Sequence, residues 1–454
     1  MSAKQSLKNW MNRMSPVRIL LIFYFIAVIF STLLLSLPIA YKPGVKIPFI
    51  DILFTAVSAL SVTGLSTITI VNTLSVTGYF ILLFILQLGA LGVMASGTFI
   101  WLLFGKKIGL RERRLIMTDQ NQTTFAGMAQ LIKEIIYVVL LIELVGFLIL
   151  GTYFLKYYST AGEAYLNGLF TTISAITNGG FDITGASMFP YAHDYFVQLI
   201  VIILIVFGAI GFPVLIEIKD YIQTKRKKRQ RFRFSLFTKI TSVTFLLLVV
   251  FGTLFIYLMD KNHYLNGNSW HENFFYALFQ SVTTRSAGLS TLDVNLLTES
   301  NQLFMSALMF IGASPSSAGG GIRTTTFAIV IIFLITYARG GKSLRIFKRE
   351  IHNDDFIKAV TVTLMAVLLI FTSVIIVSIF ESYSLIQILF EVTSAFGTVG
   401  LSLGITSELT TMSKIILMIL MFIGRVGVVT FLFMFKSRRG ERNYHYPTEK
   451  IIIG

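Results

Sequence analysis

The chain has 454 residues, 55% of them hydrophobic and only 13% charged, with a mean hydropathy of +0.77. A soluble protein of this length exposes far more charge, so the composition places it in the membrane class. With no cysteine, disulfides, thiol catalysis and cysteine-ligated metals are excluded, while a net charge of +16 raises nucleic acid and anionic lipid as partners.

In chain order, apolar runs of spanning length fall at about 17–37, 73–104, 131–155, 196–218, 236–258, 303–337, 357–380 and 414–435. Each can cross a hydrocarbon core of about 30 Å at about 1.5 Å per residue. The first is long enough to span by itself, so no cleavable signal peptide is expected. Basic clusters at 4–13, 106–114, 225–233, 339–350 and 436–442 occupy alternate connections. The others carry Asp51, Glu163, Asp182, Asp194, Glu272, Glu381 and Glu408. By the positive-inside rule this alternation predicts a multi-pass membrane protein with both termini cytoplasmic and an even number of spans. It also accounts for the positive charge as topology, in contact with the lipid bilayer and not with nucleic acid.

On the acidic side one segment recurs four times: LFTAVSALSVTGLS (53–66), LFTTISAITNGGFD (169–182), LFQSVTTRSAGLS (278–290) and LFEVTSAFGTVGLS (389–402). Each is too short to cross the membrane and ends in glycine after a Ser/Thr-rich stretch. A second mark follows in the next apolar run. Gly89-Ala-Leu-Gly92, Gly208-Ala-Ile-Gly211 and Gly424-Arg-Val-Gly427 match, and Gly312-Ala-Ser-Pro315 reads as their counterpart. The fold expected is an all-α membrane protein of four tandem helix–pore loop–helix units with pseudo-fourfold symmetry. About eight transmembrane helices and four re-entrant pore helices are predicted. The chain reads as one membrane domain, with units at 17–104, 131–218, 236–337 and 357–435 and a cytoplasmic tail at 436–454.

A re-entrant backbone at membrane depth is tolerated only where protein or a watery cavity satisfies its polar groups. Four short helices ending near glycines would aim their partially negative C-termini at one centre, which favours a cation. Glycine leaves no side chain in the path, and inward carbonyls replace an ion's hydration shell. Asp51, Glu163, Glu272 and Glu381 are expected near the starts of the short helices, where they complement the helix dipoles. One TG or GG pair is ordinarily a turn or a packing site; four aligned copies point to a cation pore.

The third unit departs from its siblings at 310–327, where Pro315 and three consecutive glycines interrupt the apolar run. Gly312, Ala313, Ser314, Pro315, Ser316, Ser317, Ala318, Gly319, Gly320 and Gly321 therefore form a candidate gate loop beneath the filter, the alternative being a packing kink. Arg425 lies near the middle of the last run, where an arginine is costly. It is expected to face the cavity, to bond gate-loop carbonyls and to act as an electrostatic barrier; the alternative is snorkelling to the cytoplasmic interface. Glu143 and Glu391 read as locally bonded structural acids. His193, His263, His271, His352 and His445 lack metal-ligand spacing. No HExxH, GxSxG or paired intramembrane aspartates occur, so enzymatic chemistry is not expected.

These residues resemble the Ktr/Trk/HKT superfamily of potassium transporters, most closely the membrane subunit of bacterial Ktr uptake systems, over nearly the whole chain. The resemblance implies potassium uptake through filter glycines Gly64, Gly180, Gly288 and Gly400. The neighbouring carbonyls would come from Val62, Thr63, Asn178, Gly179, Ser286, Ala287, Thr398 and Val399. It further implies a homodimer and a cytosolic RCK-type regulatory ring carrying ATP/ADP or a dinucleotide, with no cofactor in this chain and potassium as its substrate. Parallel repeats and a filter without carboxylates favour channel-like conduction over a sodium- or proton-coupled symporter.

Overall fold

The computed structural model describes residues 16–92, 95–96, 128–226, 232–341, 343–434, 447 and 449. The basic runs at 4–13, 106–114 and 436–442, most of the run at 225–233, His445 and nearly all of the tail at 436–454 lie outside these residues.

The architecture is all-α. A long helix, a short helix and a second, broken helix follow one another four times. The first set is α1 (Pro16–Leu35), α2 (Phe49–Leu60) and α3 (Val76–Leu91). The second is α4 (Met128–Phe154), α5 (Ala161–Ile176), α6 (Tyr195–Ala209) and α7 (Phe212–Arg226). The third is α8 (Leu236–Asp260), α9 (Trp270–Thr283), α10 (Glu299–Ile311) and α11 (Thr324–Ala338). The fourth is α12 (Asn353–Phe380), α13 (Leu385–Gly397), α14 (Thr411–Val426) and α15 (Val428–Met434). A hairpin of β1 (Arg345–Ile346) and β2 (Arg349–Glu350) joins the third set to the fourth.

Local sequence sets where these helices start. Ser75, Thr160, Ser235, Thr298, Ser384 and Thr410 each accept an amide of the first turn on a side-chain oxygen, satisfying a donor that the helix leaves open. Ser269 with Glu272 and Ser384 with Gln387 form capping boxes at the starts of α9 and α13.

The four long helices, described as spans at Val17–Leu35, Gln130–Phe154, Leu236–Asp260 and Asn353–Phe380, are long and apolar enough to cross a membrane. The apolar runs at 73–104, 196–218, 303–337 and 414–435 are not single helices. Each breaks at a glycine with positive φ: Gly92 (89°), Gly211 (100°), Gly312 (68°) and Gly427 (93°). Between α6 and α7 the chain bends by 104°. A left-handed glycine cannot continue an α-helix, so one residue decides each break.

These φ angles also correct the register of the second repeat. Gly312 is the counterpart of Gly92, Gly211 and Gly427, not of the glycine three residues earlier. The earlier glycines have a different duty. A Cβ on Gly89, Gly208 or Gly424 would run into the carbonyl oxygen of Leu60, Ile176 or Phe396, at the end of the preceding short helix. In the third set Met309 stands at that place, and its own carbonyl lies against Gly397.

The core runs round the molecule in the same order. Phe54, Phe170, Phe279 and Phe390, the second residue of each repeated segment, are all fully buried. Each joins a different apolar cluster, and each cluster draws mainly on two neighbouring sets. Phe170 packs with Leu60 and Leu86, Phe279 with Val201, Phe390 with Met305, and Phe54 with Phe396 and Leu417. Side chains such as Leu246, Leu364 and Phe371 project outward as lipid-facing groups. Lipid is as apolar as leucine, so close packing and dispersion hold the sets together more than exclusion from water does.

Candidate ion-conduction site

After each short helix the backbone makes the same unusual movement. The residue two before each repeat glycine has positive φ: Val62 (57°), Asn178 (56°), Ser286 (83°) and Thr398 (47°). The glycines follow suit at 91° (Gly64), 68° (Gly180), 72° (Gly288) and 97° (Gly400). Left-handed angles at non-glycine residues are strained, and their recurrence at four matched positions marks a functional conformation.

These four segments close a ring. A Cβ added to Gly64 would lie 2.9 Å from the Cα of Gly180, and one on Gly180 would lie 3.2 Å from that of Gly288. One on Gly288 would lie 3.1 Å from the Cα of Gly400, and one on Gly400 would lie 3.0 Å from that of Gly64. Only glycine fits at such separations. The carbonyl oxygens of Thr63, Gly179, Ala287 and Val399 sit at this level, each against the glycine of the adjacent segment.

The amides of the same four residues point the other way. Thr63, Gly179 and Val399 donate to Ser58, Ser174 and Ser394 carbonyls at 2.8, 2.7 and 2.9 Å, and Ala287 donates to Thr283 at 2.9 Å. Donors are thus spent on the short helices, while the four carbonyls accept no hydrogen bond among the described residues. Hydroxyls missed by the sequence reading brace the turn. Ser174 donates to the Phe181 carbonyl at 2.6 Å, Thr283 donates to that of Leu289 at 2.5 Å, and Ser394 accepts the Gly400 amide at 3.1 Å. Their signal was the Ser/Thr enrichment of the repeat, read there only as polarity.

One expected carbonyl is engaged elsewhere. That of Thr398 accepts the Ser286 hydroxyl at 2.6 Å, so at this level the fourth segment differs from the other three.

The stretch from Gly312 to Gly321 is not helical, and it is buried throughout except at half-buried Pro315. It crosses directly beneath the ring: Gly320 donates to Ser286 Oγ at 3.2 Å. The loop is also tied to the second set, where Ser314 and Ala318 donate to the carbonyls of Ala209 and Gly208 at 3.0 Å each. In return Phe212 donates to the Ser316 carbonyl at 2.8 Å.

Two arginines hold this loop. Arg425, in the last turn of α14, donates to the carbonyls of Ser317 and Gly319 at 3.3 Å and to that of Ala318. Its other nitrogen reaches the Gly89 and Ala90 carbonyls at the end of α3. Its position is therefore inward, and snorkelling is ruled out for this geometry. Arg323 was not singled out from the sequence. It donates to Ser314 at 3.2 Å, to Gly319, and to the carbonyl of Arg425 at 3.3 Å. Its signal was a second arginine just past the triple glycine.

On the opposite face, Asp51, Glu163 and Glu272 fall in the first turns of α2, α5 and α9. Glu381 does not serve α13. It accepts the amide and hydroxyl of Thr410, the cap residue of α14, at 2.8 Å each, while Ser384 caps α13. Glu391 is buried and accepts from Ser402, from Leu403 at 3.2 Å and from Thr406 at 2.9 Å, shaping the loop after the fourth glycine. Glu143 is buried in α4, and one of its oxygens has no hydrogen-bond partner among the described residues.

This geometry can be set beside known proteins. Residues 8–444 match the family described as TrkH, cation transport protein. The chain is 55% identical over 441 residues to the Ktr system potassium uptake protein D of Bacillus subtilis, covering 97% of this chain and 98% of that one. It is 35% identical to the Ktr system potassium uptake protein B of the same organism, over 99% of both. The solved potassium transporter TrkH from Vibrio parahaemolyticus has the same fold, with a TM-score of 0.69 at 20% identity over 91% of this chain and 84% of its own. Matched along almost its whole length, with the four-glycine ring at its centre, the chain belongs to the TrkH family of cation transport proteins.

Proposed function

We propose that this chain takes up potassium across the plasma membrane through a filter at Gly64, Gly180, Gly288 and Gly400. The observation that carries the reading is the closed ring, in which four carbonyls at one level accept no hydrogen bond among the described residues. Oxygens held in that way substitute for water around a monovalent cation. The potassium uptake named for its relatives agrees with this chemistry. On this reading the chain divides into four pore units, at 17–104, 131–218, 236–337 and 357–435.

The loop at 312–321 is the gate, and Arg425 is both its latch and a barrier to cations. The chain assembles as a homodimer with a cytosolic RCK-type ring that carries the nucleotide, and both of its termini are cytoplasmic. A sodium- or proton-coupled symporter is not favoured, because the ring contains no ionisable side chain.

The test is potassium and sodium uptake by cells lacking their own potassium transporters. They would express the wild type or Gly288→Ser, with and without a cytosolic ring subunit. The added hydroxymethyl meets the Val399 carbonyl and forces the left-handed turn, so potassium preference should fall. A wild type that restores uptake beside a variant of unchanged preference would overturn the filter assignment.

A further inference from the structure

The residues three before the repeat glycines are Ser61, Thr177, Arg285 and Gly397. The first two bond back into their own helices, Ser61 to the Val57 carbonyl at 2.7 Å and Thr177 to that of Ile173 at 2.6 Å. Arg285 does something different. It is fully buried and donates from Nη2 to the Leu308 carbonyl at 2.7 Å, whereas Nε and Nη1 have no hydrogen-bond partner among the described residues. No carboxylate among the described residues forms an ion pair with it. An uncompensated cation therefore lies one residue from the third filter segment.

Guanidinium stays charged even when buried, and in a low-dielectric interior its field is weakly screened. At the ends of α2, α5 and α13 the matched positions hold Ser61, Thr177 and Gly397, which carry no charge. The fourth, α9, has Arg285 at its end, which neutralises that pole and adds positive potential. Conduction needs sites that ions can leave as well as enter. We propose that Arg285 sets the potassium affinity of the filter, holding it low enough for ions to depart. The inference rests on the filter reading above.

The competing role is mechanical. Leu308 also accepts the Gly312 amide at 3.2 Å, so Arg285 braces the end of α10 where the gate loop begins. Charge and bracing separate in two variants. Arg285→Gln removes the charge and keeps an amide donor; Arg285→Lys keeps the charge and loses the planar fork. Both would be expressed as full-length chain in transporter-deficient cells, with potassium uptake measured against external concentration. Potassium-dependent thermal stabilisation of the purified protein would read affinity without transport.

Arg285→Gln should lower the half-saturating potassium concentration about 3- to 10-fold and lower the maximal rate with it. Arg285→Lys should keep both near the wild type. Equal half-saturation in Arg285→Gln and wild type would overturn the proposal. So would parallel changes in both variants, or failure of Arg285→Gln to accumulate in the membrane, since the residue would then serve assembly. If Gly288→Ser leaves potassium preference intact, the filter reading itself fails. If it abolishes preference while Arg285→Gln keeps wild-type affinity, only this inference fails.

Discussion

Ser286 accepts the amide of Gly320 at 3.2 Å, joining the third segment of the ring to the loop beneath it. The same hydroxyl donates to the Thr398 carbonyl at 2.6 Å. One side chain thereby ties two segments of the ring to the loop. Replacement by alanine leaves the buried Gly320 amide unpaired, at a cost of about 1–3 kcal/mol. Ser286→Ala should lower the thermal stability of the purified protein and raise basal potassium uptake together. Lower stability with unchanged uptake would show that the tie is structural only.

Arg425 spans the gap between the loop and the end of α3, with carbonyl acceptors on both sides. Its removal deletes bonds to three loop residues and takes a positive charge from beside the loop. Arg425→Gln or Arg425→Ala should increase potassium flux about 5-fold or more, measured as rubidium uptake at matched expression. Unchanged uptake kinetics would refute the latch.

Lys414 and Asp51 form a largely buried pair at 2.8 Å, with side-chain exposures of 9% and 14%. The bond joins the fourth set to the first and closes the ring where the two ends of the chain's sequence meet. Removing one partner strands the other charge, whereas removing both does not. Lys414→Met and Asp51→Asn should each depress the melting temperature more than the double variant does. Additive losses in a double-mutant cycle would show that the two groups are independent.

Asp194 caps α6 and accepts hydrogen bonds from Tyr157 at 2.7 Å and Tyr153 at 2.8 Å, besides two backbone amides. Burial pushes its carboxyl up, but these bonds outweigh it and hold the group below the usual carboxylate value. A depressed folded-state value stabilises the protein above the unfolded value of about 3.9 and loses that contribution as pH falls through the lowered one. Asp194→Ala should therefore be less stable than the wild type at neutral pH, with the gap narrowing in acid below both values. A gap that persists or widens in acid would contradict the assignment.

Much of this was legible in the sequence because it depends on short-range pattern. The LF-initiated segments, their Ser/Thr content and their terminal glycines stand at near-constant spacing, and a backbone that must turn left-handed at membrane depth has few other solutions. The interruption at Pro315 and Gly319–Gly321 was equally plain, as was the cost of an arginine at position 425. Less visible were relations between segments far apart in the chain. That Gly92, Gly211 and Gly427 also end helices is hidden in runs that stay apolar on both sides of the break. Glu381 is near α13 in sequence, yet it holds Thr410, the cap residue of α14, because the end of α12 and the start of α14 meet only after folding.

By itself, then, the sequence determined a four-fold repeated all-α membrane chain with a glycine-ended cation path and one irregular loop. Hydropathy, charge alternation and glycine spacing act locally and survive in one dimension. Only the tertiary structure decided which glycine faces which, that Ser286 reaches both Thr398 and Gly320, and that Arg285 is buried with no carboxylate paired to it among the described residues. Those facts depend on contacts between segments 34 residues apart (Ser286 with Gly320) or more than a hundred apart (Ser286 with Thr398), or on the absence of a partner, and neither is written in any local pattern.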